Sequence, residues 1–352
     1  MFDDKMPVCT PLEQIGEFSL IKHLTRDLVS RQVSTVKSVG DDAAILEFSK
    51  EQLLISTDML LEGIHFNLAY NPLKHLGYKS VVVNLSDIYA MNARPTQITL
   101  SLAISNRFSL ESLEEFYEGV KLACEHYQVD LVGGDTSSSR LGMFISVTVI
   151  GATDKKDIVF RKGAQPGDLL VVSGDLGAAY MGLQILEREH KVFKVNPHMQ
   201  PELKGYEYLI ERQLKPEARK EVFDLFKSMN IKPTSMIDIS DGLASEILHL
   251  CDQSDLGCKL FEDRIPIDPQ TILACEEFKM HPAIAALSGG EDYELLFTLA
   301  LKDYEKIKDQ PLLKIIGHMT SPEEGAQILT QYGTSTSITA QGWDAFLKKS
   351  TF

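Results

Sequence analysis

Apolar runs of strand length alternate along this chain with amphipathic segments at helical spacing. "QLLIST" (52–57), "QITLSLAI" (97–104) and "MFISVTVIG" (143–151) predict strands. "LESLEEFYEGVKLACEHY" (110–127) places Leu113, Phe116, Val120 and Ala123 at three- and four-residue intervals, which predicts a helix. A second helix is expected from Leu73 to Met91, with Pro95 preventing its continuation. The composition turns polar at "GATDKKD" (151–157), and "RKGAQPGD" follows with proline and glycine. A new series of strand-length runs then begins, in "DLLVVSG" (168–174), "SMIDIS" (235–240), "YELLFTLA" (293–300) and "LLKIIG" (312–317). Residues 188–216 are charged and contain proline, a pattern that leaves helix and loop both open. No period of 20 to 50 residues repeats, which argues against a solenoid. The pattern predicts an α/β (α+β) protein of two domains, 1–152 and 153–352, since 352 residues exceed the usual size of one core.

Charge sharpens this picture. Fifty Asp and Glu against 35 Lys and Arg give a net charge of −15, which argues against nonspecific binding to nucleic acid or anionic membranes. An acidic protein that handles an anionic substrate needs metal ions. The five cysteines form no CxxC pair and are odd in number, as expected of thiols in a reducing compartment. "MFDDKMPVCT" at the start lacks the apolar run of a signal peptide, and "MFISVTVIGA" is about half the length of a membrane span. A soluble, cytoplasmic protein is expected.

The acidic residues recur in one design. "SVGDDAAILEF" sets Asp41 and Asp42 between a glycine and an apolar run. "LLISTDML" leads a strand into Ser56, Thr57 and Asp58; "VVVNLSDIYA" places Asn84 and Asp87 on one helix face; "DLVGGDTSSS" ends two apolar residues in Gly133, Gly134 and Asp135. "SMIDISDGLASEIL" puts Asp238 and Ser240 two apart on one side of a strand, with Ser240 or Asp241 placed to cap a helix from Leu243. "LSGGEDYELLF" sets Glu291 and Asp292 after two glycines. Taken singly, each reads equally as a turn or a cap. Together they border strongly apolar segments, and the local sequence places no Lys or Arg to neutralise most of them. An unpaired carboxylate held out of water costs several kcal/mol, and four or five would cancel a domain's stability of roughly 5–15 kcal/mol. Either the acids are exposed or cations offset them. Oxygen donors with little histidine suit Mg²⁺, which keeps positions open for water and phosphate oxygens. A nucleotide follows, yet GxxxxGK[ST] is absent, as is GxGxxG followed by a V-A-I-K strand, so a P-loop ATPase and a protein kinase are both disfavoured. The glycine pairs 133–134 and 289–290 allow close backbone approach to phosphates, and Arg161 with Lys162 offers paired positive charge.

"GDDAAIL", "STDMLLEGIHF", "NLSDIYAMNARP", "LVGGDTSSS", "RKGAQPGD", "IDISDGL" and "SGGEDYELLFT", in this order, resemble the bacterial thiamine-monophosphate kinase family, within the superfamily of aminoimidazole ribonucleotide synthetase and selenophosphate synthetase. The resemblance runs from about Gly16 to Phe346. It implies an N-terminal mixed-sheet domain that binds ATP and metal and dimerises through its strands, followed by a C-terminal α/β domain. Carried over by motif, several Mg²⁺ ions would be held by Asp42, Ser56, Thr57, Asp58, Asp87, Asp135, Asp238 and Asp241. Gly134, Asp135, Arg161 and Ser240 would face ATP, while His65, Glu291 and Trp343 would face thiamine monophosphate. The implied reaction is phosphorylation of that monophosphate by direct transfer from ATP, with no general base. Trp343, the only tryptophan, either packs a C-terminal helix or stacks on the cationic thiazolium. Residues 67–74 and 188–216 match the family poorly and are assigned no role.

Two other classes stand beside this reading. Another superfamily member would carry different motifs; Cys9 in "MPVCT" lacks the glycine-rich, lysine-containing setting that selenophosphate synthetase needs. A noncatalytic metal-binding protein or a metal-dependent phosphatase would share the acids, although no EF-hand loop is present.

Overall fold

The computed structural model describes Thr10 and residues 17–39, 44–330 and 333–340. They fall into two units. The first comprises the described residues of Met1–Ile88 and Arg94–Lys155; the second comprises Tyr89–Ala93 and those of Lys156–Phe352.

The first unit opens with helix α1 (Glu17–Thr25) and a small antiparallel pair, β1 (Thr35–Lys37) with β2 (Ile45–Leu46). Its main sheet is built from β3 (Gln52–Leu61), β4 (Arg94–Ile104), β5 (Asp130–Ser138) and β6 (Phe144–Thr153), in the order β3-β6-β4-β5. Only β4 and β5 run parallel, joined by helix α3 (Leu110–Tyr127), as a parallel crossover requires. Helix α2 (Leu73–Ala90) precedes β4. Leu76, Val81, Val82, Leu85 and Ile88 are all buried, so α2 is apolar nearly all round and lies inside the unit. It crosses α3 closely. A Cβ on Gly119 would stand 1.8 Å from the Lys74 carbonyl oxygen, and one on Gly77 would stand 2.0 Å from that of Phe116. Ser109 caps α3, its side chain accepting from the Ser112 N–H.

The second unit holds a seven-stranded sheet. Its strands are β7 (Leu169–Ser173), β8 (Ser235–Asp238), β9 (Gly257–Phe261), β10 (Leu295–Leu299), β11 (Leu313–Thr320), β12 (Ala326–Leu329) and β13 (Ser335–Ser337), in the order β13-β12-β9-β11-β7-β10-β8. All pairs are antiparallel except β12 with β9. Its helices are α4 (Ala178–Val195), α5 (Glu207–Leu214), α6 (Lys220–Met229), α7 (Leu243–Ser254), α8 (Pro269–Glu277), α9 (Pro282–Ser288) and α10 (Tyr304–Ile307). Alternation along the strands feeds two cores. Leu170, Val172 and Leu296 pack with Leu243, Ile247 and Leu250 of α7, while Val171, Leu295 and Phe297 pack with Val222 and Phe226 of α6. The sheet is therefore apolar on both faces, which explains the continuous rather than alternating runs. Residues 89–93 join this unit through Val159 N–H donating to Met91 O and Asn92 Nδ2 donating to Asp157 O. The ambiguous 188–216 segment contains the end of α4 and all of α5. Among the described residues no helix is long and apolar enough to cross a membrane.

Candidate functional site

In the first unit, β3 and α2 bring one group of acids together. Strand alternation turns Ser56 and Asp58 toward α2. Ser56 Oγ donates to Asp87 Oδ2 at 2.5 Å, and the Asp58 backbone N–H donates to Asn84 Oδ1 at 2.9 Å. Asn84 is fixed in turn, its Nδ2 donating to Ser80 O one helical turn back. Asp58 retains solvent-exposed surface, but the protein packed around its carboxyl, and then the neighbouring Asp87 carboxylate, push it up to about 6. Thr57 points to the opposite face, where its hydroxyl donates to Val147 O at 3.0 Å and accepts from Thr148 Oγ1 at 3.1 Å. The three consecutive oxygen-bearing residues thus do not present their side chains together.

Gly134 and Asp135 lie exposed on β5. A Cβ on Gly134 would stand 1.9 Å from Leu100 O of the adjacent strand, so β4 by itself demands glycine there. Register places Asp58 opposite Val147, Val147 opposite Leu100, and Leu100 opposite Gly134. Two strands therefore separate Asp58 from the β5 acid, about 14 Å at the usual strand spacing. Within one chain no single ion touches both. His65 follows β3, and its Nδ1 accepts from the Leu61 N–H at 3.1 Å, which puts the ring proton on Nε2.

In the second unit, residues 239–242 after β8 run beside 289–294 before β10. Glu291 N–H donates to Ser240 O at 2.8 Å, Tyr293 N–H to Ile239 O at 2.9 Å, and Ile239 N–H to Glu294 O at 2.7 Å. Gly290 makes this approach possible, because a Cβ there would stand 2.4 Å from Ser240 O. Asp238 ends β8 and is buried; Ser240 and Asp241 lie beyond the strand, half-buried. Two sequence expectations change here. Ser240 is past the strand end rather than on it, and neither Ser240 nor Asp241 caps α7. Gly242 takes the cap position at φ 118°, with no side chain closing it. Glu246 instead reaches back, its Oε1 accepting from the Asp241 N–H at 3.0 Å, in the manner of a capping box. Burial, opposed by that N–H and reinforced by the Asp241 and Asp238 carboxylates, pushes Glu246 up to about 8. Its Oε2 is buried without a hydrogen-bond partner.

The sequence shows no base beside the "GGEDYE" motif, but the fold supplies two. Arg212 Nη1 donates to Glu294 Oε1 at 2.9 Å and its Nη2 lies 3.6 Å from Asp292 Oδ1, while Arg219 pairs with Glu294 as well. Asp292 also accepts from Gly177 N–H at 2.7 Å and Ala179 N–H at 3.3 Å. Burial, only partly offset by Arg212 and these two N–H groups, pushes Asp292 up to about 6. Glu291 sits at the edge of this network in the left-handed region, φ 71°, with Gln213 Nε2 donating to its Oε2 at 2.7 Å. Arg161 and Lys162 are exposed ahead of β7. Asp42 and Trp343 lie outside the described residues.

Arg212, Gln213, Arg219, Glu246 and Glu294 were not singled out from sequence. Glu246 had a local signal, an acid in the first turn of the helix after "SDG". The arginines had none, because their partners lie 75 to 82 positions away.

Among the described residues no group of three or more His, Cys, Asp or Glu side chains is assembled as a metal centre. The donors present nevertheless fit Mg²⁺. They are all oxygen, and the crowding of Asp58 with Asp87, and of Glu246 with Asp238 and Asp241, is of the kind that a hard divalent cation would relieve.

The chain is similar along most of its length to proteins of known function. Residues 40–153 match the family model of AIR synthase related protein, N-terminal domain. The chain is 34% identical over 341 residues to the thiamine-monophosphate kinase of Aquifex aeolicus (strain VF5), covering 95% of this chain and 99% of that one. It is 32% identical to the thiamine-monophosphate kinase of Bacillus subtilis (strain 168), covering 94% and 100%. The solved structure of AaThiL complexed with AMPPCP and TMP superposes with a TM-score of 0.74 at 32% identity, covering 95% of this chain and 98% of that one.

Proposed function

This chain belongs to the thiamine-monophosphate kinase family, and from that premise we propose that it transfers the γ-phosphoryl group of ATP to the phosphate of thiamine monophosphate, yielding thiamine diphosphate and ADP. The whole-length likeness to family members carries the reading, and the complex of AaThiL with AMPPCP and TMP supports both substrates. The acceptor is a phosphate monoester, largely dianionic near neutrality with a second pKa of about 6. Its oxygen is already a nucleophile and needs no general base. The barrier is repulsion between two phosphates, where each pair of unit charges about 4 Å apart costs roughly 1 kcal/mol in water and 4 at an effective dielectric of 20.

Mg²⁺, when bound, supplies the positive charge that offsets this repulsion. Several ions would be held by Asp42, Ser56, Thr57, Asp58, Asp87, Asp135, Asp238 and Asp241, with Asp58 and Asp135 on different ones. The chain's own work is to keep these oxygens in place: Asn84 fixes the β3 backbone at Asp58, Ser56 orients Asp87, and Glu246 anchors the backbone at Asp241. Gly134, Asp135, Arg161 and Ser240 would face ATP. His65, with its proton on Nε2, would donate to the substrate phosphate, and the Glu291 carboxylate with Trp343 would attract the cationic thiamine moiety. Direct in-line transfer follows, without a phosphoenzyme. A homodimer belongs to the same reading, since Leu53, Ile55 and Met59 leave one face of β3 apolar and exposed.

The test is an end-product assay with purified protein, ATP, Mg²⁺ and thiamine monophosphate, separating the thiamine species by chromatography. Thiamine diphosphate with equimolar ADP is expected. ADP without thiamine diphosphate would overturn the substrate, and Mg²⁺ binding with neither product would favour a noncatalytic protein.

A further inference from the structure

Residues 188–216, which match the family poorly, make direct contact with the loop carrying Glu291. Helix α5 offers Arg212 and Gln213 to consecutive parts of that loop. Arg212 binds the Glu294 carboxylate at 2.9 Å and lies within 3.4 Å of the Asp292 carbonyl oxygen, while its Nη2 also donates to Asp175 O at 3.1 Å. Gln213, buried at 3% exposure, donates from Nε2 to Glu291 Oε2 at 2.7 Å. Glu291 holds φ 71° and Tyr293 holds φ 51°, backbone values that cost a non-glycine residue on the order of 1 kcal/mol or more and persist only where surroundings enforce them. The helix is itself rigidly seated. Gly182 of α4 passes so close that a Cβ there would stand 2.1 Å from Leu209 O and 3.0 Å from Gln213 Cβ. Arg212 therefore fixes the loop, and Gln213 fixes the rotamer of the acid at its rim.

We propose that Gln213 is a positioning residue for thiamine monophosphate, acting through Glu291 by aiming its carboxylate, with Arg212 holding the backbone that carries it. The inference rests on the reading that Glu291 faces that substrate. It predicts an effect confined to one substrate, which a general loss of folding would not produce.

The test measures KM for thiamine monophosphate and for ATP separately, with kcat, in wild type, Gln213→Leu, Glu291→Ala and the double variant. One hydrogen bond to a charged group makes the expected rise in KM for thiamine monophosphate about tenfold in Gln213→Leu, with KM for ATP and kcat held. In the Glu291→Ala background, Gln213→Leu should add nothing further. Gln213→Met, which keeps the volume and loses the donor, replaces Gln213→Leu if the latter fails to fold. An equal change in both KM values, or an additive change in the double variant, overturns the positioning role while leaving the proposed reaction intact. A wild type that makes no thiamine diphosphate overturns the reaction and this inference together, and an unchanged KM in Glu291→Ala removes the substrate role of Glu291 alone and with it the inference.

Discussion

Asp58 and Asp87 show what one substitution should do at this site. The two carboxylates crowd each other behind Ser56, and Asp58 is pushed up to about 6 in part for that reason. Asp87→Asn should lower turnover roughly 100-fold or more, because a metal-assisted transfer loses several kcal/mol with a ligand. The same change should not lower the melting temperature in the absence of Mg²⁺, since it removes a repulsive charge; kinetics and thermal unfolding on one preparation check both halves. Asp292 gives the pH prediction. Its folded value lies above its ordinary 3.8, at about 6, so between these limits the folded state holds more proton than the unfolded state. Stability contributed here is present below pH 4 and lost as pH rises toward 6, by about 3 kcal/mol in order of magnitude. Urea unfolding across pH 4–6 should show this decline in wild type, and the difference from Asp292→Asn should vary with pH in that window. A difference that stays flat would mean that Arg212 and the two backbone donors outweigh burial.

Elements carry the next level of the argument. Helix α3 runs over Leu110–Tyr127 as its spacing predicts, because one apolar face meets a core and Ser109 supplies a cap. Its contact with α2 depends on two glycines, so Gly119→Ala would force a methyl against a backbone oxygen 1.8 Å away. Overpacking of this kind costs about 1–3 kcal/mol, and chemical denaturation of the variant should show it. Because α2 also carries Asn84 and Asp87, the shift should weaken Mg²⁺ binding in parallel. Helix α5 was illegible for the opposite reason: its half-buried Arg212 and buried Gln213 are polar groups whose partners arrive from the distant loop before β10. Nothing in their neighbours along the chain marks them. Thr57 is a middle case, since alternation alone puts it on the face away from Ser56 and Asp58, yet the sequence does not say which face the helices cover.

At the scale of the whole molecule, the likeness to family members spans nearly the full chain, which ties both units to one activity. The exposed face of β3 is the testable feature here. Ile55 is 70% exposed, Met59 56% and Leu53 48%, more apolar surface than one strand of a monomer usually leaves in water. Ile55→Glu should convert a dimer to monomer, read by light scattering after size exclusion, with helix and strand content unchanged by circular dichroism. A wild type that is already monomeric at working concentration would sink this assignment.

The sequence by itself determined strands β3, β4, β6, β7, β8, β10 and β11, helices α2 and α3, the oxygen-only chemistry of the acids and the family, because apolar period and short motifs are local properties read without folding the chain. Asn84 with Asp87, three apart on one helix, was legible for that reason. Only the tertiary structure decided that Ser56 and Asp58 meet Asp87 while Thr57 turns away, that two strands lie between β3 and β5, and that Gly242 rather than Asp241 takes the cap position of α7. It also decided that Asp292 and Glu294 are answered by Arg212 and Arg219, a pairing of charges more than 70 residues apart. Such pairs form because burial makes an unmatched carboxylate costly, and burial belongs to the fold, not to any stretch of sequence.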